Sequence, residues 1–202
     1  MHADPTSLAR SPFAGLPAAA GHGSGVVATE RDGRGIARLE TCRGQTAAVA
    51  ELLRGKLGIV PPNASRYVRG GDVAIGGVGP STWIAVHESA GYSFAESLQP
   101  LVGHGASVVD QSDAYAVVRL AGPKVRETLA KLVPIDVHPG TFHVGAIAQT
   151  VCGYVGVMLW RLEDGVQGDS AFEIWGGRSF AASLHEAIRQ SAAEFGYARQ
   201  TP

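Results

Sequence analysis

A six-residue stretch, SFAESL at positions 93–98, occurs again with one substitution as SFAASL at positions 179–184. In the first copy, Ser93 and Glu96 have the spacing of a capping box, and Phe94 and Leu98 begin an apolar stripe at helical spacing. The two copies therefore predict two amphipathic helices that begin alike, each capped by its serine.

The segments around these helices follow a common order in the two halves of the chain. In the first half, an Asp-Gly turn at 32–33 predicts a hairpin, and the pattern over 36–110 predicts strand, helix, strand, strand, helix and strand. In the second half, a strand at 116–120, a helix, three strands and the closing helix follow one another. The predicted fold class is α+β, with two related strand-helix-strand-strand lobes at residues 25–112 and 113–202 packed as one body. Chance similarity between two helix starts is the alternative.

The first 24 residues and the two cysteines give an indication of the cellular compartment in which the protein is located. Residues 1–24 are rich in Pro, Ala, Gly and Ser without periodicity, and they predict a disordered leader without the marks of a signal peptide. Cys42 and Cys152 are isolated, which excludes zinc ribbons and C-x-x-C redox motifs. Reduced thiols in the cytoplasm are favoured, with a disulfide between the two left open.

The charge content excludes some partners and favours others. Lys plus Arg number 17 and Asp plus Glu 18, which argues against nucleic acid as a partner. Charged residues form 17% of the chain, whereas soluble domains carry roughly 25%. A chain with so few charges is a candidate subunit whose surface is partly covered. The longest uncharged run, 137–160, is broken by Pro139 and four glycines, and it predicts two buried strands rather than a membrane span.

Motifs for catalysis are missing from the sequence. It contains no P-loop and no G-x-S-x-G elbow, and its glycine clusters at 21–25 and 70–79 are not followed by a helix, so they indicate turns. Asp136, His138 and His143 have ligand chemistry, but their spacing across Pro139 favours loop hydrogen bonds or a subunit contact over a metal site. His104 lies in a Gly-His-Gly turn. We therefore expect no catalytic, cofactor-binding or metal-binding residue in this chain.

The order of several short motifs resembles the gamma subunit family of heterotetrameric sarcosine oxidase, which is related to the folate-binding domain of the glycine-cleavage T-protein. The matching pieces are GQ at 44–45, GP at 79–80, WI at 83–84, DQS at 110–112, LAGP at 120–123, Arg126, PIDVHP at 134–139, Phe142, Gly145, AQT at 148–150, WR at 160–161, RSF at 178–180 and EFG at 194–196. The resemblance spans about residues 25–196. It departs at EIWGG, 173–177, where a strand running into Val-Pro is expected, so the end of that strand is left open.

This resemblance implies a complex of alpha, beta, gamma and delta subunits that oxidatively demethylates sarcosine to glycine, releases hydrogen peroxide and transfers one carbon to tetrahydrofolate. FAD, FMN, NAD, tetrahydrofolate and zinc are expected in the partner subunits and none in this chain. The chain itself is expected to be a non-catalytic, cytoplasmic subunit that binds chiefly alpha, with beta and delta in the same complex. Neither nucleic acid nor a membrane is expected as a partner.

Two alternatives stay open from the sequence. A gamma-like subunit of an N-methylglutamate dehydrogenase is one, since the substrate pocket lies in another chain. A free-standing folate-binding protein or one-carbon transferase is the other, and it needs an acidic side chain facing the pterin ring, for which Asp110, Asp113 and Glu173 are weak candidates. The residues expected to be structural or to form the subunit interface are Gly122, Arg126, Asp136, His138, Trp160 and Arg178.

Overall fold

The computed structural model describes residues 10–16, 25–165 and 167–200, which contain eleven β-strands and four α-helices. The strands are β1 (Val26–Glu30), β2 (Gly35–Thr41), β3 (Tyr67–Gly70), β4 (Val73–Gly79), β5 (Thr82–His87), β6 (Ala106–Asp110), β7 (Tyr115–Ala121), β8 (Ile147–Cys152), β9 (Val155–Arg161), β10 (Ala171–Gly177) and β11 (Tyr197–Gln200). The helices are α1 (Thr46–Leu57), α2 (Ser93–Val102), α3 (Val125–Ala130) and α4 (Ala181–Ala192).

The strands form two sheets whose topologies repeat. The five-stranded sheet has the order β3-β4-β5-β2-β6, and the six-stranded sheet has the order β8-β9-β10-β7-β1-β11. Apart from β1, each sheet is built by the same sequence of elements: a strand, a helix, three consecutive strands, a helix and a last strand. The predicted α+β fold with two related halves is therefore confirmed.

Strand β1 is the exception to this repeat, and the predicted first hairpin is wrong. β1 pairs antiparallel with β7 and parallel with β11, whereas β2 pairs with β5 and β6 in the other sheet. The Asp-Gly signal describes only the local turn, in which Gly33 has a φ of 73°, and both flanking strands take partners distant in sequence. β1 thus places first-half residues in the second sheet, and the division at residues 112 and 113 stays a prediction.

The two sheets and four helices form four layers with three apolar clusters between them. Helices α1 and α2 cover the outer face of the five-stranded sheet, with Leu53 and Leu98 in that core. Helices α3 and α4 cover the outer face of the six-stranded sheet, with Leu129 and Leu184 in its core. The inner faces of the sheets pack on each other around Trp160. Because strand side chains alternate between faces, each sheet contributes to two clusters.

Part of the predicted leader is integrated into the fold. In the segment 10–16, Phe13 is 2% exposed and packs in the outer core of the six-stranded sheet. Arg199 donates hydrogen bonds to the carbonyl oxygens of Phe13 and Leu16. Residues 10–16 are therefore ordered rather than disordered, because the Phe13 side chain packs in an apolar core. The rest of the predicted leader lies outside the described residues.

Neither of the two similar helices begins with the predicted serine cap. In α2, Ser93 is the first helical residue, and its hydroxyl donates to the carbonyl oxygen of Ala90 instead of accepting from a helix N–H. The second copy forms a short 3₁₀ turn at Arg178–Phe180 before α4 begins. Neither helix has a side-chain cap in the described structure, so the apolar stripes rather than the caps place these helices.

Candidate functional site

A buried ion pair lies where the loop between β1 and β2 crosses from one sheet to the other. Glu173 is in β10, between Arg119 of β7 and Trp160 of β9. Arg34 donates through Nη2 to Oε1 of Glu173 at 2.7 Å and through Nη1 to Oε2 at 3.0 Å. Both side chains are 3% exposed. Both carboxylate oxygens are therefore engaged by one guanidinium in a bidentate pair.

A second carboxylate extends this pair into a network between the two sheets. Glu88 follows β5 and accepts hydrogen bonds from Arg31 at 2.7 Å, from Nε of Arg34 at 3.0 Å and from Arg69 at 2.8 Å. Arg34 thus contacts one carboxylate on each sheet. The guanidinium also lies over the ring of Trp175, with its carbon 5.9 Å from the ring centroid.

The network shifts the pKa values of its members in opposite directions. Burial would raise the pKa of Glu88, but Arg34, Arg69 and Arg31 outweigh it and hold that pKa below its usual value. Burial lowers the pKa of Arg34, but the ion pairs and hydrogen bonds with Glu173 and Glu88 leave it raised. Arg31 has a lowered pKa, chiefly through burial and then through the neighbouring Arg34. Both Glu88 and Arg34 are therefore charged at neutral pH.

An open cleft of about 740 Å³ adjoins the network. Its walls are Arg66 to Arg69 around β3, Arg119 and Glu173 on the six-stranded sheet, and Glu163 to Gly165 after β9. The backbone ties the β3 wall to Gly145, which also lines the cleft, because the Tyr67 N–H donates to the carbonyl oxygen of Gly145 at 2.8 Å. We call this feature the arginine cleft.

The three candidate pterin-binding carboxylates are not brought together. Glu173 lines the arginine cleft, whereas Asp110 and Asp113 do not. Asp110 accepts hydrogen bonds from the backbone N–H and the hydroxyl of Ser112 at 2.9 and 2.6 Å. Asp113 accepts from the hydroxyl of Tyr92 at 2.7 Å and is 3.4 Å from Arg178.

The residues present do not fit the folate-type ligand that the family resemblance implies. A pterin ring needs a buried carboxylate with free oxygens to accept from its N–H groups. The buried carboxylates of the described ranges are Glu30 and Glu173. Glu173 is engaged by Arg34, and Glu30 by Arg199 and Ser11. Neither has both oxygens free for a ligand.

The histidine cluster after α3 forms loop hydrogen bonds. Asp136 accepts from the backbone N–H of His138 at 2.8 Å, and Nδ1 of His138 accepts from the N–H of Gly140 at 3.1 Å. Both Asp136 and His138 are exposed, as is His143. Within residues 10–16, 25–165 and 167–200, no group of three or more His, Cys, Asp or Glu side chains is placed to hold a metal ion.

Two of the expected structural or interface residues lie inside the fold. Gly122 has a φ of 129°, and a Cβ there would lie 2.4 Å from the carbonyl oxygen of Gly25, so only glycine fits between β1 and the turn after β7. Trp160 is 2% exposed and stacks on Trp175 with ring centroids 4.9 Å apart.

The two expected arginines make contacts within the chain. Arg126 donates to the carbonyl oxygen of Val137 and through Nε to the hydroxyl of Ser170 at 3.0 Å. Arg178 donates to the carbonyl oxygen of Arg10 and pairs with Asp113.

Of the buried network, only Glu173 is named from the sequence, as a weak candidate for binding a pterin, whereas Arg31, Arg34 and Glu88 are not predicted as site residues. Arg34 and Glu173 are 139 positions apart, so no local spacing connects them. Arg31 and Arg34 flank an Asp-Gly turn, which normally indicates an exposed loop. Only the crossing of this loop between two sheets buries the guanidinium.

The cysteines are both free thiols. Cys42 is exposed and Cys152 is buried, so the disulfide that the sequence left open is not formed. Burial raises the pKa of Cys152 to about 12, which keeps this thiol protonated.

Across the described ranges, no helix has both the length and the hydropathy that crossing a membrane requires.

Comparisons with known proteins show which proteins this chain resembles. The chain is 29% identical over 163 residues to the sarcosine oxidase subunit gamma of an Arthrobacter species, covering 77% of this chain and 78% of the relative. Its structure matches a chain of the heterotetrameric sarcosine oxidase from Corynebacterium sp. U-96, with a TM-score of 0.78, 25% identity, and coverage of 93% and 96% of the two chains. That solved structure holds pyrrole 2-carboxylate.

An aminomethyltransferase shares the fold alone. The glycine cleavage system aminomethyltransferase T from Bartonella henselae matches with a TM-score of 0.61 at 14% identity, covering 88% of this chain and 48% of that one. The family model described as the GCVT N-terminal domain matches residues 78–200, more than half of the sequence. The repeated halves and this match together show that the chain belongs to the GCVT N-terminal domain family.

Proposed function

We propose that this chain is a non-catalytic gamma-type subunit of a heterotetrameric sarcosine oxidase. The observation that carries the proposal is the structural match over nearly the full length of both chains, 93% and 96%, with a TM-score of 0.78. A shared domain inside a larger enzyme would cover only part of the other chain, as in the aminomethyltransferase match. The complex oxidises sarcosine to glycine with release of hydrogen peroxide.

In this proposal the reaction centres lie in the partner chains. FAD, FMN, NAD, tetrahydrofolate and zinc bind to the other subunits, and the gamma-type chain contacts chiefly the alpha subunit in a cytoplasmic complex. The bidentate Arg34–Glu173 pair supports this assignment over a free-standing folate-binding protein, because it occupies the carboxylate of Glu173, which among the described residues is the buried acidic side chain that lines the arginine cleft.

The test is purification of the tagged chain from its native cell. We expect larger chains to co-purify in fixed ratio, with visible flavin absorbance and sarcosine-dependent release of hydrogen peroxide. The isolated chain, expressed alone, is the control and should show neither flavin nor turnover. A chain that purifies alone from its native cell and oxidises a methylamine would refute the proposal, as would calorimetric binding of tetrahydrofolate to the isolated chain at micromolar concentration.

A further inference from the structure

The carboxylates of the arginine cleft are largely paired within the chain. Glu173 is held by Arg34, and Glu88 is held by Arg31, Arg34 and Arg69. Asp164 pairs with Arg161, a buried arginine that does not line the cleft. Among the acidic residues of the cleft, only Glu163 makes no ion pair within the described residues.

Two arginines that line the cleft have no carboxylate partner among the described residues. In the part of the chain that the structure describes, neither Arg66 nor Arg119 forms an ion pair, and both line the cleft. Nε of Arg119 is buried and has no hydrogen-bond partner there. Arg119 lies directly opposite Glu173 in the β7–β10 register, but that carboxylate is already taken by Arg34. Because the Nε donor of Arg119 has no acceptor among the described residues and the side chain lines the cleft, this guanidinium is available to a carboxylate from another chain.

The charge balance of the cleft points the same way. Four arginines and four acidic residues line it, and two further arginines, Arg34 and Arg161, pair with its carboxylates. Six guanidinium groups against four carboxylates leave a net charge of +2, in a chain whose net charge is −1. The lining residues alone balance at four positive and four negative charges, so the excess comes from the two buried arginines that pair with its carboxylates, and this local excess favours an anionic occupant.

The lining indicates a protein surface rather than a small molecule. Eight of the fourteen lining residues are charged, whereas pockets for small molecules are lined predominantly by apolar and aromatic groups. The cleft is open to solvent, and Val144 at its edge is an exposed apolar residue. Arginine beside partly exposed apolar residues is typical of protein–protein interfaces.

We propose that the arginine cleft is a docking surface for an acidic segment of a partner subunit, whose Asp or Glu carboxylates bind Arg66 and Arg119. This inference rests on the proposed function, since it requires a partner chain. Carboxylates of the partner would then bind these two arginines, which have no carboxylate partner among the described residues.

The first experiment measures association of the complex with the charge of Arg66 changed. Arg66→Glu alters an exposed, unpaired side chain, so the fold should be retained, and thermal unfolding of the isolated variant checks this. Association with the partner chains, co-expressed and purified, should weaken roughly tenfold or more, and its dependence on KCl concentration should become shallower. Arg43→Glu is the matched control, because Arg43 is an exposed arginine outside the cleft in the turn before α1.

The second experiment identifies the contact directly. In Arg66→Lys, the introduced amine should be joined to an Asp or Glu of a partner chain by a zero-length carbodiimide cross-linker, and mass spectrometry of the cross-linked peptide locates that residue. Arg43→Lys should give no such product.

The outcomes separate this inference from the proposed function. If wild-type protein forms no complex, the proposed function fails and this inference fails with it. If the complex forms and Arg66→Glu binds as tightly as wild type without a cross-link at position 66, the inference alone is overturned. Binding of citrate to the isolated chain that is lost in Arg119→Gln would assign the cleft to a small polycarboxylate and would also overturn it.

Discussion

At the residue scale, the fold depends on a few polar side chains that are almost completely buried. Arg34 satisfies both oxygens of Glu173 at a position where each side chain is only 3% exposed. A buried charge that loses its partner is not compensated by solvent, so such pairs are costly to break one side at a time. His185 is 4% exposed in the core under α4, and protonation of this side chain would likewise place a charge where solvent does not compensate it.

Arg34→Met should destabilise the protein strongly. Glu173 would remain buried with only the longer contact to Arg31 at 3.4 Å, and leaving a buried charge unpaired costs about 3 to 5 kcal/mol. Urea unfolding measures the loss. The double variant Arg34→Met/Glu173→Leu should recover most of it, because apolar side chains replace both charges. A single variant that loses less than about 1 kcal/mol would show that the pair does not stabilise the fold.

His185 should make stability depend on pH in the mildly acidic range. Burial, followed by the nearby Arg199, lowers the pKa of His185 from its ordinary value of 6.5. The unfolded chain therefore binds a proton at higher pH than the folded chain, so stability is complete above about pH 6.5 and falls as the pH drops towards the folded pKa.

Urea unfolding at about pH 7.5 and about pH 5.5 tests this, with His185→Gln as the comparison. We expect the wild type to lose more stability between the two pH values than the variant does. Equal losses in both proteins would assign the pH dependence to other groups.

At the element scale, each sheet packs one face on its helices and the other face on the second sheet. Gly76 of β4 allows the close approach of the inner faces, because a Cβ there would lie 2.6 Å from Cδ1 of Ile147 and 2.8 Å from the ring of Trp160. That ring stacks on Tyr67, at a centroid distance of 5.0 Å, and on Trp175. The aromatic stack of the inner layer therefore needs a glycine at position 76.

Gly76→Ala should cost roughly 1 to 3 kcal/mol, because the added methyl group overfills a packed layer. Gly156→Ala is the matched control in β9, since a Cβ at position 156 meets nothing within 4 Å, and it should change stability by less than about 0.5 kcal/mol. Denaturant unfolding and the near-ultraviolet circular dichroism of the tryptophans measure both effects. Equal stability of the two variants would contradict close packing at Gly76.

At the scale of the whole molecule, the two halves share structure that neither holds alone. β1 comes from the first half but lies between β7 and β11 of the second sheet. The inner apolar layer is built from both sheets, and the ion pairs Arg34–Glu173 and Arg31–Glu88 join them. Separation of the halves would expose this layer and leave buried charges unpaired.

We therefore expect the chain to unfold in one cooperative transition. Tryptophan fluorescence reports Trp83 in the outer core of the five-stranded sheet together with Trp160 and Trp175 in the inner layer. Thiol labelling in Cys42→Ser reports Cys152, which is buried in the outer core of the six-stranded sheet. Both probes should give the same urea midpoint. Labelling of Cys152 at lower urea than the fluorescence change would show that the outer core of the six-stranded sheet opens before the tryptophan environments are lost, and would contradict a single transition.

Much of the architecture can be predicted from the sequence because it is encoded locally. The apolar stripes of α2 and α4, the long strands and the order of elements all follow from periodicity within about ten residues. The order of short motifs also indicated the family, which the comparisons confirmed. The short edge strands β3 and β11 were missed, since each has four residues and too little alternation to be distinguished from a loop.

The two related α+β halves and the family resemblance could be predicted from the sequence by itself, as could the lack of a P-loop and of a G-x-S-x-G elbow. The tertiary structure alone decided that β1 joins the second sheet, that Arg34 neutralises Glu173, and that Arg66 and Arg119 line an open cleft without an ion-pair partner among the described residues. The physical reason is distance along the chain. Local patterns specify which residues form a strand or helix, but which strand pairs with which, and which charge is buried beside which, depends on contacts between residues more than a hundred positions apart.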